Sequence, residues 1–175
     1  MNKQRIAIDM DEVIADTLEK FIQIYKREHN LELTQQMLYG KDLMDVLPAE
    51  LYNTTREYIN GPGFFSDIPV MPDSQRVVKE LSEKYEVFIV SAAMEFRNSL
   101  IDKYDWLAMH FPFINWAHIV FCGLKIVNVD IFIDDRSRNF VGFNGRKLLY
   151  SSPHNLEINE FERVNTWQEV ADKLL

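Results

Sequence analysis

An apolar run that stops on two aspartates one residue apart, Ile6-Ala7-Ile8-Asp9-Met10-Asp11, constrains this chain more than any other stretch. A short aliphatic and β-branched run of this kind reads as a buried strand that delivers its carboxylates to its C-terminal end. In open α/β sheets that edge is where ligands are held. Two carboxylates so close repel one another, and beside an apolar strand their charge has to be offset by a cation, a proton or hydrogen bonds. A divalent metal is the simplest offset. Alternate residues of a strand share a direction, which would bring Asp9 and Asp11 to one ion, whereas a turn beginning at Met10 would part them. Asp16, three residues before Glu19, is read as the cap of the next helix.

From Ala15 to His29 the apolar positions Leu18, Phe21, Ile22, Ile24 and Tyr25 share one helical face. Residues 34–60 keep a helical pattern broken at Gly40 and Pro48, which predicts two short helices, and Gly61-Pro62-Gly63 ends it. Standing between the first strand and the next clear one, this block is expected to be an insertion packed over the acidic edge. A helix then starts after Pro72-Asp73-Ser74. A second strand over 85–90 ends at Ser91-Ala92-Ala93, and a helix from Met94 to His110 follows. A third strand over 117–121 has Lys125 just beyond it, a fourth over 129–133 runs into Asp134-Asp135, and a fifth covers 147–150. Strands alternating with helices imply parallel βα units joined by right-handed crossovers.

The strand ends thus carry Asp9 and Asp11, then Ser91, Lys125, and Asp134 with Asp135. Surface charges have no reason to collect at one end of successive strands, whereas phosphoryl transfer with magnesium uses such a set. Asp9 is the expected nucleophile, forming an aspartyl-phosphate. Asp11 is expected to protonate the leaving alkoxide and later to deprotonate water. That role needs a raised pKa, for which a neighbouring carboxylate and partial burial are the available causes. Ser91, Lys125 and the backbone amides around Met10 to Asp11 and near Ala92 would bind the phosphate oxygens. Asp134 and Asp135 would hold magnesium directly or through water.

A formal charge of −8 argues against the broad basic surface that grips nucleic acid polymers. It leaves a small anion, received by a metal and one or two local cations. The single cysteine, Cys122, excludes an internal disulfide framework and points to a reduced compartment. Met1-Asn2-Lys3-Gln4-Arg5 passes straight into the first strand, and no apolar stretch approaches the roughly 18 residues of a membrane span. No membrane partner and a cytoplasmic location are therefore expected. The 175 residues suffice for one domain with a modest insertion, and the 13% aromatic content makes a homodimer a further expectation.

These segments resemble the signature motifs of the haloacid dehalogenase (HAD) superfamily of phosphatases, whose DxDx(T/V) loop is matched by Asp9-Met10-Asp11-Glu12-Val13. More narrowly, DMDEVIAD, GFFSDIPVMPD, VFIVSAA and FIDDR are similar to the 5′(3′)-deoxyribonucleotidase family, strongly over residues 5–16 and 64–136 and weakly in between. The resemblance implies a Rossmann-like α/β core with a parallel sheet, residues 1–16 and 72–175, and a small helical cap, residues 17–71, inserted after the first strand. It implies Asp9 as nucleophile, Asp11 as acid and base, and Ser91 and Lys125 as phosphate binders. Asp9, the Asp11 carbonyl and Asp135 become the implied ligands of Mg2+, with Asp134 behind them. Phe65 matches an aromatic that the family sets near the sugar. Thr17 stands where members carry an aromatic, and a further aromatic pair would fall near Lys41-Asp42; both departures bear on substrate contact. Arg136 and His154 match family positions without a role legible in the sequence. The implied reaction is hydrolysis of a small phosphomonoester, a deoxynucleoside monophosphate. Another phosphometabolite as substrate, or a phosphoacceptor module without turnover, are the rival readings.

Overall fold

The computed structural model describes residues 3–175. Six strands, β1 (Arg5–Ile8), β2 (Glu86–Ser91), β3 (Ile119–Phe121), β4 (Ile131–Asp134), β5 (Arg146–Tyr150) and β6 (Glu162–Val164), form one parallel sheet in the order β3-β2-β1-β4-β5-β6. The opening apolar run occupies the middle of it. Ile6, Ala7 and Ile8 have no exposed surface, as a strand covered on both faces requires.

Side chains alternate between the two faces. Ile6, Ile8, Ile131, Ile133, Leu148 and Tyr150 point to one side, and Ala7, Val90, Phe132 and Leu149 to the other. Between β1 and β2 come α1 (Thr17–His29), α2 (Gln35–Leu38), α3 (Leu43–Val46), α4 (Tyr52–Asn60) and α5 (Ser74–Lys84); α6 (Ser99–His110) follows β2, and α7 (Trp167–Leu174) follows β6. Buried residues of α1, α5, α6 and α7 belong to the apolar cluster on the first face. The second face is closed by rings: Phe140 from a single 3-10 turn and Phe143 from a loop pack against Phe132, and Phe161 from another loop packs against Phe140. The buried Phe140 ring contributes on the order of 2 kcal/mol and the half-buried Phe143 and Phe161 rings less, so aromatic turns and loops do here what a helix does on the other side.

That second face departs from the regular alternation predicted from the sequence. The connections from β3 to β4 and from β4 to β5 contain no α-helix. The sixth strand, Glu162-Arg163-Val164, was also not predicted, because two of its three side chains are charged and only Val164 is buried.

Asp16 caps α1 as expected, accepting from the Glu19 N–H at 3.0 Å. Residues 34–60 fold as three short α-helices and a 3-10 turn, more broken than the two helices predicted. One break is Gly40, at φ 67, whose N–H donates to Pro153 O at 2.9 Å; an added Cβ would lie 2.9 Å from the Glu157 side chain. The insert leaves and rejoins the sheet through paired backbones. Asp16 N–H donates to Pro69 O and Met71 N–H to Ile14 O, both at 2.8 Å. Farther along, the indole N–H of buried Trp106 on α6 donates to Ile68 O at 2.8 Å, fastening the insert to the core.

The strand order places the reversal of winding direction at β1 and β4. A crevice opens there at the carboxyl ends of the strands.

Candidate active site

The loop after β1 parts its two aspartates. Asp9 N–H donates to Ile133 O at 2.9 Å, so the pairing with β4 runs one residue past the strand. The chain then curls, with the amides of Val13, Ile14 and Ala15 all donating to Met10 O and Glu12 at φ 61. The indole of Trp167 on α7 donates to Val13 O at 2.7 Å and holds the curl from behind. Asp9 therefore faces β4 and Asp11 faces α6, which decides between the two directions left open by the sequence.

On the β4 side the carboxylates of Asp9, Asp134 and Asp135 are buried, with ligand oxygens within 4.8 Å of one another. Lys125 bridges two of them, 2.6 Å from Asp9 Oδ1 and 2.8 Å from Asp134 Oδ2. Burial pushes Asp9 up to about 6; Lys125 pulls it down, and Asp134 and Asp11 add to the rise. Burial, then Asp9 and Asp134, raise Asp135 well above the usual carboxylate range. Burial works against the Lys125 ammonium, but Asp9 and Asp134 outweigh it and its pKa rises. Lys125 alone leaves negative charge in this pocket, and an all-oxygen donor set of this size is one that could hold a hard divalent cation. Asp134 has both oxygens taken by protein donors: Lys125, Arg136 N–H and the Asn139 amide.

On the α6 side the ammonium of Lys103 contacts Asp11 Oδ2 and donates to Ser91 Oγ at 3.1 Å. Thr17 Oγ1 donates to Asp11 Oδ1 at 3.0 Å. Lys103 is only 2% exposed and lies 4.6 Å above the centre of the Phe65 ring. Burial tends to raise Asp11, but Lys103 outweighs it, and the net shift is downward. The raised pKa expected for Asp11 is therefore overturned, and the cause is a lysine that the sequence reading left among helix residues. Lys103 follows Ser99 by four and precedes Trp106 by three, so it lies on the buried stripe of α6. A lysine on that stripe was the available signal.

A cavity of about 730 Å³ joins the two sides. Asp9, Asp11, Thr17, Phe65, Ala92, Lys125 and Asp135 line it, so those sequence-predicted residues converge; Ser91 lies buried behind Lys103, and Asp134 behind Lys125. Its apolar wall comes from Phe21, Phe64, Phe65 and Phe96. At its rim Arg136 pairs with Asp42 of the insert at 2.5 Å, so the site expected for a cap aromatic holds an ion pair. Glu12, Ser152 and His154 complete the wall beside Asp135. Burial, with Asp16 next, pushes Glu12 up to about 8. Burial and Arg136 push His154 down to about 4, so its ring is neutral at neutral pH.

Residues 3–175 match the family model described as 5′ nucleotidase, deoxy (pyrimidine), cytosolic type C protein. A Bacillus subtilis protein named 5′(3′)-deoxyribonucleotidase is 39% identical over 176 residues, 99% of each chain. A Staphylococcus aureus protein provisionally given the same name is 43% identical over 176 residues, 100% of this chain and 97% of its own. Among solved structures, a HAD-hydrolase from Bacillus subtilis bound to magnesium superposes with a TM-score of 0.58 at 13% identity, covering 99% of each chain. A haloacid dehalogenase-like protein from Agrobacterium tumefaciens gives 0.62 at 12%, covering 98% of this chain and 97% of the other.

Proposed function

This chain belongs to the 5′ nucleotidase, deoxy (pyrimidine), cytosolic type C family of HAD-superfamily hydrolases, and on that premise we propose how its residues release phosphate from a deoxynucleoside monophosphate. Asp9 attacks phosphorus. The bond to the leaving oxygen breaks, that oxygen takes the proton of Asp11, and an aspartyl-phosphate stands on Asp9. Water then gives a proton to Asp11 and attacks the same phosphorus, which frees phosphate and restores Asp9. Lys125, the Ser91 hydroxyl and the amide of Ala92 hold the phosphate oxygens.

Asp11 enters the cycle paired with Lys103, which favours its anion. A phosphate dianion arriving beside Ser91 competes for that ammonium. As the pair loosens, Asp11 gains basicity and takes up a proton from solvent, the proton it then gives to the leaving oxygen.

Magnesium, when bound, would supply Lewis-acid neutralisation of the phosphate charge. Its proposed ligands are Asp9, Asp135 and the Asp11 carbonyl, with Asp134 locked behind them by Lys125. The buried acidic cluster and the magnesium in a structural relative support that choice. The apolar wall around Phe65 suits a nucleoside, and contact with the sugar disfavours a 2′-hydroxyl by at most about a hundredfold. Thr17 acts through Asp11 in this reading, in place of a contact with the sugar or base. Residues 17–71 act as a cap on a core of residues 1–16 and 72–175. Among the described residues no helix is long and apolar enough to cross a membrane, and with the family's cytosolic description this supports action in the cytoplasm.

The observation that carries the reading is Lys125 bridging Asp9 and Asp134 at the reversal point of the sheet. The test is Asp9→Asn. Phosphate release from deoxynucleoside monophosphates should vanish while circular dichroism and melting remain native. Appreciable turnover in that variant would overturn the assignment of the nucleophile.

A further inference from the structure

The loop after β5, Ser151-Ser152-Pro153-His154-Asn155, comes from a part of the sheet that plays no part in the chemistry above, yet it reaches the Asp135 side of the cavity. We propose that His154 is a positioning residue that fixes the rotamer of Asp135 for metal binding, with Ser152 setting the imidazole tautomer. The inference rests on the reading of Asp135 as a metal ligand.

The geometry is specific. His154 Nε2 lies 3.2 Å from the Asp135 carbonyl oxygen, its hydrogen-bond partner, and 3.3 Å from Asp135 Oδ2. Both are acceptors, so Nε2 carries the proton. Nδ1 is then the acceptor and takes the Ser152 hydroxyl at 3.1 Å. One N–H set against two oxygens of the same residue ties the carboxylate to its own backbone and restricts its swing. The nearby guanidinium of Arg136 has its Nε 3.6 Å from Oδ2 and is engaged with Asp42. Among the described residues nothing else on this side lies so close to that carboxylate. Asn155 separately anchors the Asp135 carbonyl through its amide at 2.8 Å and binds Tyr150 O at 2.8 Å as well. Loss of His154 therefore leaves the loop attached and removes only the control of the side chain.

Ser152 Oγ also lies 3.4 Å from Glu12 Oε2, so the same hydroxyl touches the loop that carries Asp9 and Asp11. The imidazole and hydroxyl thus span the cavity wall between the two segments that supply the ligands. Partners of this kind, bonded to a ligating group instead of the ion, typically change metal affinity by about 10- to 100-fold when removed.

The experiment is titration of the purified full chain with Mn2+, followed by electron paramagnetic resonance, with Mg2+ as competitor. His154→Ala should weaken Mn2+ binding by about tenfold or more. His154→Gln, whose terminal amide can place an N–H near the position of Nε2–H, should recover most of that loss; Ser152→Ala should give an intermediate loss. Asp135→Asn is the control that separates the two readings. If it leaves Mn2+ binding intact, the ligand assignment fails. If it abolishes binding while His154→Ala binds as tightly as the parent, or His154→Gln is as impaired as His154→Ala, the positioning role is overturned.

Discussion

The ammonium of Lys103 reaches Asp11 across 92 residues of sequence and rests on Ser91 at the same time. One buried cation thus touches both the proposed proton donor and a proposed phosphate-binding hydroxyl.

Lys103→Met removes that cation and with it the force that holds Asp11 low. The proton donor should then stay protonated to higher pH, so the alkaline limb of the kcat profile moves upward. Loss of a charged phosphate contact should also lower kcat/KM by about 10²-fold, near 3 kcal/mol of barrier. Lys103→Arg should keep the position of the limb more nearly than Lys103→Met. A pH–rate series on both variants checks this, and an unmoved limb in Lys103→Met would separate Asp11 from Lys103.

The carboxylates beside β4 predict a pH-dependent response to metal. Asp9, with a folded value of about 6, sits above its ordinary 3.8, and Asp135 is raised in the same direction. A group raised on folding stabilises below its unfolded value and loses that contribution as pH rises through its folded one. Metal-free protein should therefore lose stability between about pH 4 and neutrality from this cluster, and magnesium should restore it by binding the ionised form. Melting with magnesium against chelator should show a clear gap near neutrality that narrows below about pH 6. Equal melting temperatures near neutrality would count against a cation in this pocket.

Arg136 and Asp42 join insert to core at the cavity rim, both partly exposed, so Asp42→Ala should cost less than about 1 kcal/mol of stability. Its larger effect should be kinetic. With the rim unpaired the insert closes less firmly, and KM for nucleotide should rise several-fold while denaturant unfolding barely changes. An unchanged KM would show that the pair is ornamental to binding.

Asn155 has no exposed surface and all its polar atoms are used: it donates to Asp135 O and Tyr150 O and accepts from Ser152 N–H and Arg163. Asn155→Leu leaves several of those groups buried without partners. It should destabilise the protein by about 3 kcal/mol in urea unfolding. A loss under about 1 kcal/mol would mean that water reaches the loop and satisfies them.

The candidate site was readable in the sequence because its parts lie at or just beyond the ends of apolar strands, and a strand end is a local pattern. Asp9, Ser91, Lys125 and Asp135 were assigned to the candidate site in that way, and the structure brings them to one end of the sheet. Lys103 was hidden because its meaning depends on which face of α6 is buried and on what lies across the gap, both tertiary facts. Strand β6 was hidden because Glu162 and Arg163 carry charge along a sheet edge, where a parallel strand need not be apolar. The breaks over residues 34–60 followed Gly40 and Pro48, but the number of helices between them depended on contacts with the core, such as Gly40 against Pro153. His154 stood beside a recognised motif, and only its distance to Asp135 gave it a task.

The excursion of fifty-odd residues between Asp16 and Met71 begins and finishes at hydrogen-bonded neighbours, so to the sheet it is equivalent to a single tight reversal of the chain. Closing a loop whose ends are already in contact costs little more when the loop is lengthened, since each doubling adds only about 0.6 kcal/mol. An insert of another length at this junction would therefore leave the pairing of the strands beneath little changed. The proposed chemistry at the strand ends and the contribution of the insert are thereby separable by recombination at two adjacent positions.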